Sequence, residues 1–199
     1  MQPESTILRF IQLLPEASEQ GDFLLKDLPG SGKRIDVLCR DLAACFSWGP
    51  ISWPKENLEL VAVIADSRIL TFVYPGDLTP QSEVQWASVI RDSLREQPPT
   101  YVRISEGSVE DIINRYNMPP KFKLWVLEEY GSPISKIWLD NSFTQNSFML
   151  GDHKGFNPQT EELISEHALQ RISLGKNSYL SSHCVASIIS EFERLENVE

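Results

Sequence analysis

The run Leu58-Glu59-Leu60-Val61-Ala62-Val63-Ile64-Ala65 decides the fold class of this chain. Glu59 is its only polar residue, so the run lacks the apolar–polar alternation of a strand with one wet face. A strand that is apolar on both sides has to be covered on both faces, which is typical of a parallel sheet between layers of helices. We therefore predict an α/β fold with a mostly parallel sheet that is flanked by helices.

Strands and helices alternate on both sides of this run, which supports the same prediction. Further strands are predicted over residues 7–14, 69–74, 101–104, 124–127, 148–150 and 171–174. Helices are predicted over residues 35–46, 81–95, 109–116, 161–170 and 181–195, with Val84, Ala87, Ile90 and Leu94 of the second facing inward. No internal repeat is visible and Pro98-Pro99 is interpreted as a loop, so we predict a single domain over residues 1–199.

The composition is that of an ordinary globular protein. Of 199 residues, 41% are hydrophobic and 23% are charged, which excludes disordered, collagen-like and low-complexity classes. The 3 cysteines are too few for a disulfide scaffold, and their odd number suits reduced thiols. No apolar stretch is long enough to span a bilayer, and residues Met1 to Ser5 do not resemble a signal peptide. We expect a cytoplasmic protein with no membrane partner.

The formal charge of −10 argues against broad, non-specific binding to a polyanion. It leaves room for a local basic patch, because electrostatic attraction decays within about 8 Å at physiological salt. Such a patch is present where Lys33, Arg34 and Arg40 lie close together in the sequence. We predict that this cationic cluster binds an anionic partner.

The segment Gly30-Ser31-Gly32-Lys33 invites comparison with a phosphate-binding loop, but the comparison fails twice. Arg34 follows the lysine, so the hydroxyl that would bind magnesium is missing. Asp27 stands where the first glycine of that motif would be, which puts a carboxylate in the place of the phosphate. A flexible turn before a helix is the simpler interpretation.

His153, His183 and Cys184 are the residues most open to interpretation as metal ligands. They lack the paired local spacing of zinc sites, so we predict no metal. A nucleophilic Cys-His arrangement is no better supported. Cys184 lies on the apolar face of the last predicted helix, where a small buried thiol is expected.

A more specific pattern lies in the C-terminal half, where glycine follows three predicted strands. Gly131, Gly151 and Gly175 come just after the strands that end near Leu127, Leu150 and Leu174. In an α/β sheet, ligands bind in the crevice at the carboxyl ends of the strands, and glycine allows their close approach. Each glycine alone is explained by a tight turn. Together they predict one composite pocket.

At these residues the sequence resembles a known family. The segments Leu150-Gly151-Asp152-His153 and Ile172-Ser173-Leu174-Gly175, with Leu180 and His183-Cys184 beyond them, are similar to the C-terminal motifs of TrmY-type tRNA pseudouridine N1-methyltransferases. Residues 27–40 are similar to the N-terminal motif of the same family, which belongs to the SPOUT superfamily. The two motifs occur in the expected order, and the resemblance covers nearly the whole chain.

The resemblance implies a SPOUT-type α/β fold with a deep C-terminal trefoil knot, which topology rules alone would have excluded. It implies S-adenosylmethionine (SAM) as cofactor, a homodimer formed largely by knot helices, and tRNA as substrate. The implied reaction is N1-methylation of pseudouridine 54 in the T-loop. Two alternatives stay open at this point. One is methylation of pseudouridine in another RNA, as in the related Nep1-type ribosomal RNA methyltransferases, and the other is a homologue that binds the cofactor without catalysis.

The resemblance also implies functional residues. Cofactor-binding positions are expected at Leu127, Gly131, Gly151, Ser173, Leu174, Gly175, Leu180 and Cys184, and RNA-binding positions at Lys33, Arg34 and Arg40. Pseudouridine N1 has to lose a proton, which a nearby carboxylate or water could accept, so Asp36 and Arg34 are the catalytic candidates. We expect one arginine to pair with Asp36 and the other to contact phosphate. The sequence departs from the family's usual pattern at Asp41, Trp48 and Lys176.

The homodimer has its own support in the residues. The last predicted helix carries a broad apolar stripe through Cys184, Ile188, Phe192 and Leu195. Trp48, Trp53 and Trp138 exceed what one small core needs. We therefore expect part of this apolar surface to lie in an interface.

Overall fold

The computed structural model describes residues 6–136, 145–152 and 154–196. Its strands are β1 (Ile7–Leu14), β2 (Leu58–Ile64), β3 (Arg68–Val73), β4 (Val102–Glu106), β5 (Phe122–Pro133), β6 (Gln145–Leu150) and β7 (Gln170–Ser173). Its helices are α1 (Ile35–Ala43), α2 (Glu83–Leu94), α3 (Val109–Tyr116), α4 (Pro158–Glu166) and α5 (Ser181–Glu196). The predictions on Met1 to Ser5, Trp138, His153 and the Leu195 side chain lie outside the described residues.

The seven strands form one sheet in the order β4-β3-β2-β1-β6-β5-β7. The block from β2 to β7 is parallel throughout, whereas β3 and β4 are antiparallel to their neighbours. Only a short turn, with Ala65 and Asp66 at positive φ, joins β2 to β3, and a parallel pair would need a long crossover instead. The prediction of a mostly parallel α/β sheet is confirmed. The trefoil knot stays a prediction.

The sheet is buried on both faces, as the apolar run predicted. Phe10 of β1 faces the larger core, which contains α1, α2 and α5. The next residue, Ile11, faces a second core with α3 and α4. Both side chains are fully buried. The central strands are therefore anchored from two sides, which gives their carboxyl ends fixed positions.

Helix α1 ends earlier than predicted, at Ala43, and continues as a π-helical turn over Ala44–Trp48. The turn closes at Gly49, where a β-carbon would collide with the carbonyl oxygen of Ala44. In α2, Val84 is half exposed, contrary to the prediction, and Trp86 is buried instead. Val84 lies in the first turn, ahead of the face that Trp86, Ala87 and Ile90 present to the core.

Several of the apolar residues on which the homodimer prediction was based are buried in the core of the chain itself. Ile188 and Phe192 of α5 belong to the larger core. Trp53 is buried too, and its ring meets that of Phe192 edge to face at a centroid distance of 5.6 Å. Trp48, by contrast, is 55% exposed. Over the described ranges, no helix has the length and apolar character needed to cross a membrane.

Candidate active site

A cavity of about 680 Å³ opens at the carboxyl ends of β5, β6 and β7. This volume lies within the usual range for a small-molecule site. Three loops line it, around residues 127–129, 150–152 with 154–156, and 174–184, and the start of α1 completes the wall. The predicted composite pocket therefore exists, and it includes residues from the N-terminal half of the chain.

Six of the eight predicted cofactor positions line this cavity: Leu127, Gly151, Leu174, Gly175, Leu180 and Cys184. Leu180 is exposed beside Tyr179, and Cys184 is buried on α5. Burial raises the pKa of the Cys184 thiol to about 12, so it is a protonated wall residue rather than an activated nucleophile.

Gly131 does not line this cavity, and its role in cofactor binding stays a prediction. A β-carbon on Gly131 would come within 2.6 Å of the backbone nitrogen of Ile172. The residue lies where β5 bulges against β7, between Leu127 and Ser132. Its glycine is required for close packing of two backbones, and it supports the site from outside.

Ser173 is likewise behind the wall rather than part of it. Its buried hydroxyl accepts a hydrogen bond from the amide of Gly175 at 3.0 Å. The same oxygen lies 2.9 Å from the carbonyl oxygen of Glu129, to which it can donate. Ser173 thus ties the end of β5 to the turn at Gly175 and gives the cavity loop its shape.

The loop after β6 is a tight turn built on two glycines. The amide of Asp152 donates to the carbonyl of Gly155 at 3.2 Å, and that of Gly155 donates back at 3.0 Å. A β-carbon on Gly151 would approach the Gly155 carbonyl to 2.8 Å, and Gly155 has a φ of 83°. A bulkier residue at position 151 would force this turn apart.

The turn before α1 carries the predicted cationic cluster. Lys33 and Arg34 have positive φ values of 46° and 74°, an unusual pair of left-handed residues. The carboxylate of Asp27 accepts from the amides of Gly30 at 3.2 Å and Ser31 at 2.9 Å. The chain's own carboxylate therefore occupies these amides, which is the physical reason why this glycine-rich turn is not a phosphate loop.

Asp36 is buried and holds two guanidinium groups. Arg34 donates to its carboxylate through Nε at 3.1 Å and Nη2 at 3.3 Å. Arg40 donates to it through Nη2. The expectation that only one arginine pairs with Asp36 is wrong, because both do. Arg34 and Arg40 also line the cavity, whereas Asp36 and the exposed Lys33 do not.

This pairing changes the interpretation of Asp36. Both of its carboxylate oxygens already accept hydrogen bonds from cations, and the group has no surface in the cavity. Its geometry fits a residue that positions Arg34 and Arg40 better than it fits a proton acceptor. The two guanidinium groups keep further N–H donors that Asp36 does not use.

The cavity carries both signs of charge. Arg34, Arg40 and Lys154 supply the cations, and Glu128, Glu129, Asp152 and Glu161 supply the anions. Arg171 donates to Glu128 at 2.8 Å and to Glu161 at 2.6 Å, and its hydrogen bond to Glu161 is the largest of the causes that raise the Arg171 pKa. A zwitterionic ligand finds partners for both of its ends in such a site.

Sequence reasoning missed the contact between Asp41 and Ser181. Asp41 is fully buried, and the hydroxyl of Ser181 donates to its Oδ1 at 2.7 Å. A signal existed, because Asp41 lies three residues after Leu38 and four before Cys45, on the stripe predicted to face the core. The three cysteines are free and buried, and the described part of the chain contains no group of three potential metal ligands.

The chain is similar to known methyltransferases over most of its length. Residues 80–196 match a family model described as "Putative SAM-dependent RNA methyltransferase". A tRNA (pseudouridine(54)-N(1))-methyltransferase from Thermococcus onnurineus is 32% identical over 90% of this chain and 93% of its own length. The enzyme of the same name from Thermococcus gammatolerans is 33% identical over 94% of this chain and 98% of its own length.

Solved structures share the fold at low identity. The Nep1 protein of Archaeoglobus fulgidus, bound to S-adenosylhomocysteine, aligns with a TM-score of 0.66 and 16% identity over 97% of this chain and 99% of its own. Ribosomal RNA small subunit methyltransferase E of Neisseria gonorrhoeae, bound to SAM, has a TM-score of 0.50 and 14% identity over 96% of this chain and 66% of its own.

Proposed function

Since the chain belongs to the tRNA (pseudouridine(54)-N(1))-methyltransferase family, we propose that it transfers the methyl group of SAM to N1 of pseudouridine 54 in tRNA. The family resemblance stated from the sequence motifs is thereby confirmed. The observation that carries the proposal is that the glycine-bearing loops and the arginine pair of α1 line one cavity. The glycine-bearing loops suit the cofactor, and the arginine pair suits an anionic substrate.

The cavity fits SAM in size and in charge. Its volume of about 680 Å³ suits a nucleoside with an amino-acid tail. The tail ends in a carboxylate and an ammonium group, for which the cavity offers cations and anions. Leu127, Leu174 and Leu180 supply apolar wall for a flat base. When bound, SAM supplies an electrophilic methyl group on a sulfonium centre.

The residues of the chain bind the cofactor and the RNA and orient them for the transfer. Gly151 and Gly175 bring their loops close to the ligand, and Ser173 holds the second of these loops in shape. Arg34 and Arg40, aligned by Asp36, hold an anionic group of the RNA through the donors that Asp36 leaves free. Positioning of this kind can supply several kcal/mol of the barrier to an in-line transfer. The N1 proton leaves to water or to a carboxylate of the cavity wall rather than to Asp36, whose oxygens are occupied.

The test uses stem-loop RNA that carries either pseudouridine or uridine at position 54. Only pseudouridine has a free N1–H, so the protein with SAM should form N1-methylpseudouridine in the first RNA and nothing in the second, as read by nucleoside mass spectrometry. A deletion strain should lack N1-methylpseudouridine in its tRNA. If its tRNA keeps this nucleoside and its ribosomal RNA loses it, the substrate assignment is wrong. If neither RNA changes, the proposed methyl transfer is wrong, and a homologue without this catalysis is the alternative.

We further propose that the protein acts as a homodimer in the cytoplasm, where its tRNA substrate occurs. Support for the dimer comes from Trp48 and Ile51, which are 55% and 84% exposed. They lie three positions apart, at and just after the end of the π-helical turn that follows α1. Large apolar side chains in such a position favour an interface. Support for the compartment comes from the three free cysteines.

A further inference from the structure

The buried carboxyl group of Asp41 connects two walls of the cavity. Asp41 follows Arg40 on α1, and Ser181 is the first residue of α5. Ser181 donates its hydroxyl to Oδ1 of Asp41 at 2.7 Å, a contact between residues 140 positions apart. Arg40 and Ser181 both line the cavity, whereas Asp41 lies behind them and is fully buried.

The second oxygen of this carboxyl group, Oδ2, is buried without a hydrogen-bond partner among the described residues. A charged carboxylate in this place would leave unpaired charge in the core, which is far more costly than a neutral acid with one unmet bond. Burial accordingly raises the pKa of Asp41 to about 8, and the hydrogen bond from Ser181 and the charge of Arg40 oppose this only in part.

The groups around Asp41 come from three elements. On α1, Arg40 lowers its pKa and Asp36 raises it, while these two residues pair with each other. Cys39 of α1, Cys45 of the π-helical turn and Cys184 of α5 are coupled to it, and burial raises the pKa of each thiol, to about 12 for Cys184. The thiols keep their protons between pH 7 and pH 9, the range in which Asp41 loses its own.

We propose that Asp41 and Ser181 form a latch that joins α1 to the first turn of α5 and holds the cofactor cavity in its binding shape while Asp41 carries its proton. Once ionised, Oδ2 has to reach water, and α1 and the start of α5 have to separate to admit it. That movement displaces Ser181 and Ser182, which line the cavity. Asp41 is thus a positioning residue for SAM, and the inference rests on the proposed function.

Calorimetry with S-adenosylhomocysteine at pH 7 and pH 9 tests the latch on the full-length protein. The pKa of Asp41 is near 8, so most of the wild-type protein loses this proton between pH 7 and pH 9. The affinity of the wild type should therefore fall over this range by about tenfold more than the affinity of Asp41→Asn does. Asparagine still accepts the Ser181 bond but cannot ionise. Any titration of the ligand itself is common to both proteins and cancels in the comparison.

Three further variants make the result specific. Asp77→Asn changes an exposed carboxylate in the short helical turn Gly76–Leu78 and should follow the wild type. Asp41→Ala removes the acceptor, so it should bind more weakly at both pH values, without the wild-type decline. In Ser181→Ala the bond that lowers the Asp41 pKa is gone, so the midpoint of the decline should move to higher pH. This last readout does not depend on the folding of an Asp41 variant.

The outcomes separate the latch from the function it rests on. Equal pH dependence in wild type and Asp41→Asn, or an unmoved midpoint in Ser181→Ala, overturns the latch. If the wild type does not bind S-adenosylhomocysteine at either pH, the proposed function fails instead.

Discussion

At the scale of the residue, one buried carboxylate holds two arginines in the cavity wall. Asp36 accepts from Arg34 and Arg40, which would otherwise be two long, mobile cations. The pair lines the same cavity as the glycine loops. Changes at these arginines should therefore affect the affinity for the cofactor, although the arginines are far from the glycine-bearing loops in the sequence.

Arg34→Ala and Arg40→Ala should each weaken tRNA binding and flatten the slope of log K against log salt by about one, because each removes one phosphate contact. Filter binding over a range of salt concentrations measures this slope. Arg194→Ala is the matched control, since it removes an exposed cation from the far end of α5. An equal change in the control would mean that global charge, rather than this cluster, binds the RNA.

Asp41 should make the free energy of unfolding depend on pH. Its pKa is raised from 3.8 to about 8 in the folded chain, so the unfolded chain loses the proton first. The contribution of Asp41 to the free energy of unfolding is therefore fully present below pH 4. It is lost as the pH rises to 8, by at most about 1.4 kcal/mol per pH unit. Asp41→Asn should lack this part of the decline in urea unfolding at pH 5 and pH 8.5. Parallel curves for the two proteins would refute it.

At the scale of the element, the glycines after the strands perform different tasks. Gly131 lets β5 pack against the backbone of β7, whereas Gly175 shapes a loop that lines the cavity. Their surroundings show the difference. A β-carbon on Gly131 would meet backbone at 2.6 Å, while one on Gly175 would find its nearest neighbour, the Tyr179 hydroxyl, at 3.7 Å.

Gly175→Val should therefore abolish SAM binding while the protein still folds. Its cost to stability is the strain of a φ of 151°, roughly 1–3 kcal/mol. Gly131→Ala should behave in the opposite way, with a lowered melting temperature and residual affinity for the cofactor in the folded fraction. Thermal unfolding and calorimetry on both variants decide this. Normal binding by Gly175→Val would show that the loop is not a wall of the cofactor site.

At the scale of the whole molecule, a formal charge of −10 coexists with a local cationic site. Phosphate contacts act over about 8 Å at physiological salt, so distant carboxylates do not cancel them. The global charge mainly suppresses non-specific association with nucleic acid, which suits an enzyme that selects one nucleotide. The exposed Trp48 and Ile51 are a second local feature of the surface, two large apolar side chains that lie three residues apart.

Sedimentation at micromolar concentration should give about twice the chain mass of 22.6 kDa. Trp48→Glu with Ile51→Glu should shift the protein towards the monomer, because a charge placed in an apolar interface is costly to desolvate. Val84→Glu, another half-exposed apolar residue, is the matched surface control. A wild-type mass near 22.6 kDa would contradict the dimer, and an unaffected double variant would place the interface elsewhere.

Cofactor binding should not need a metal, because the cavity offers SAM backbone, apolar and charged groups as partners. Calorimetry with and without a chelator should give the same affinity. A loss of binding on chelation would point to a metal ligand set that includes residues outside the described ranges.

The apolar run at residues 58–65, the strand–helix alternation and the glycine-bearing motifs were sufficient to predict the fold class, the family and the loops that line the cavity at the ends of the strands. Burial on both faces of a strand and the conformational needs of glycine are local properties, which is why a linear pattern carries them. The antiparallel β3 and β4, the double pairing of Asp36 and the role of Gly131 were not predicted in this way. The bond between Asp41 and Ser181 joins residues 140 positions apart. Periodicity tells which face of an element is buried, but the neighbour that covers it depends on how the strands are ordered in the sheet, and that order exists only in the folded chain.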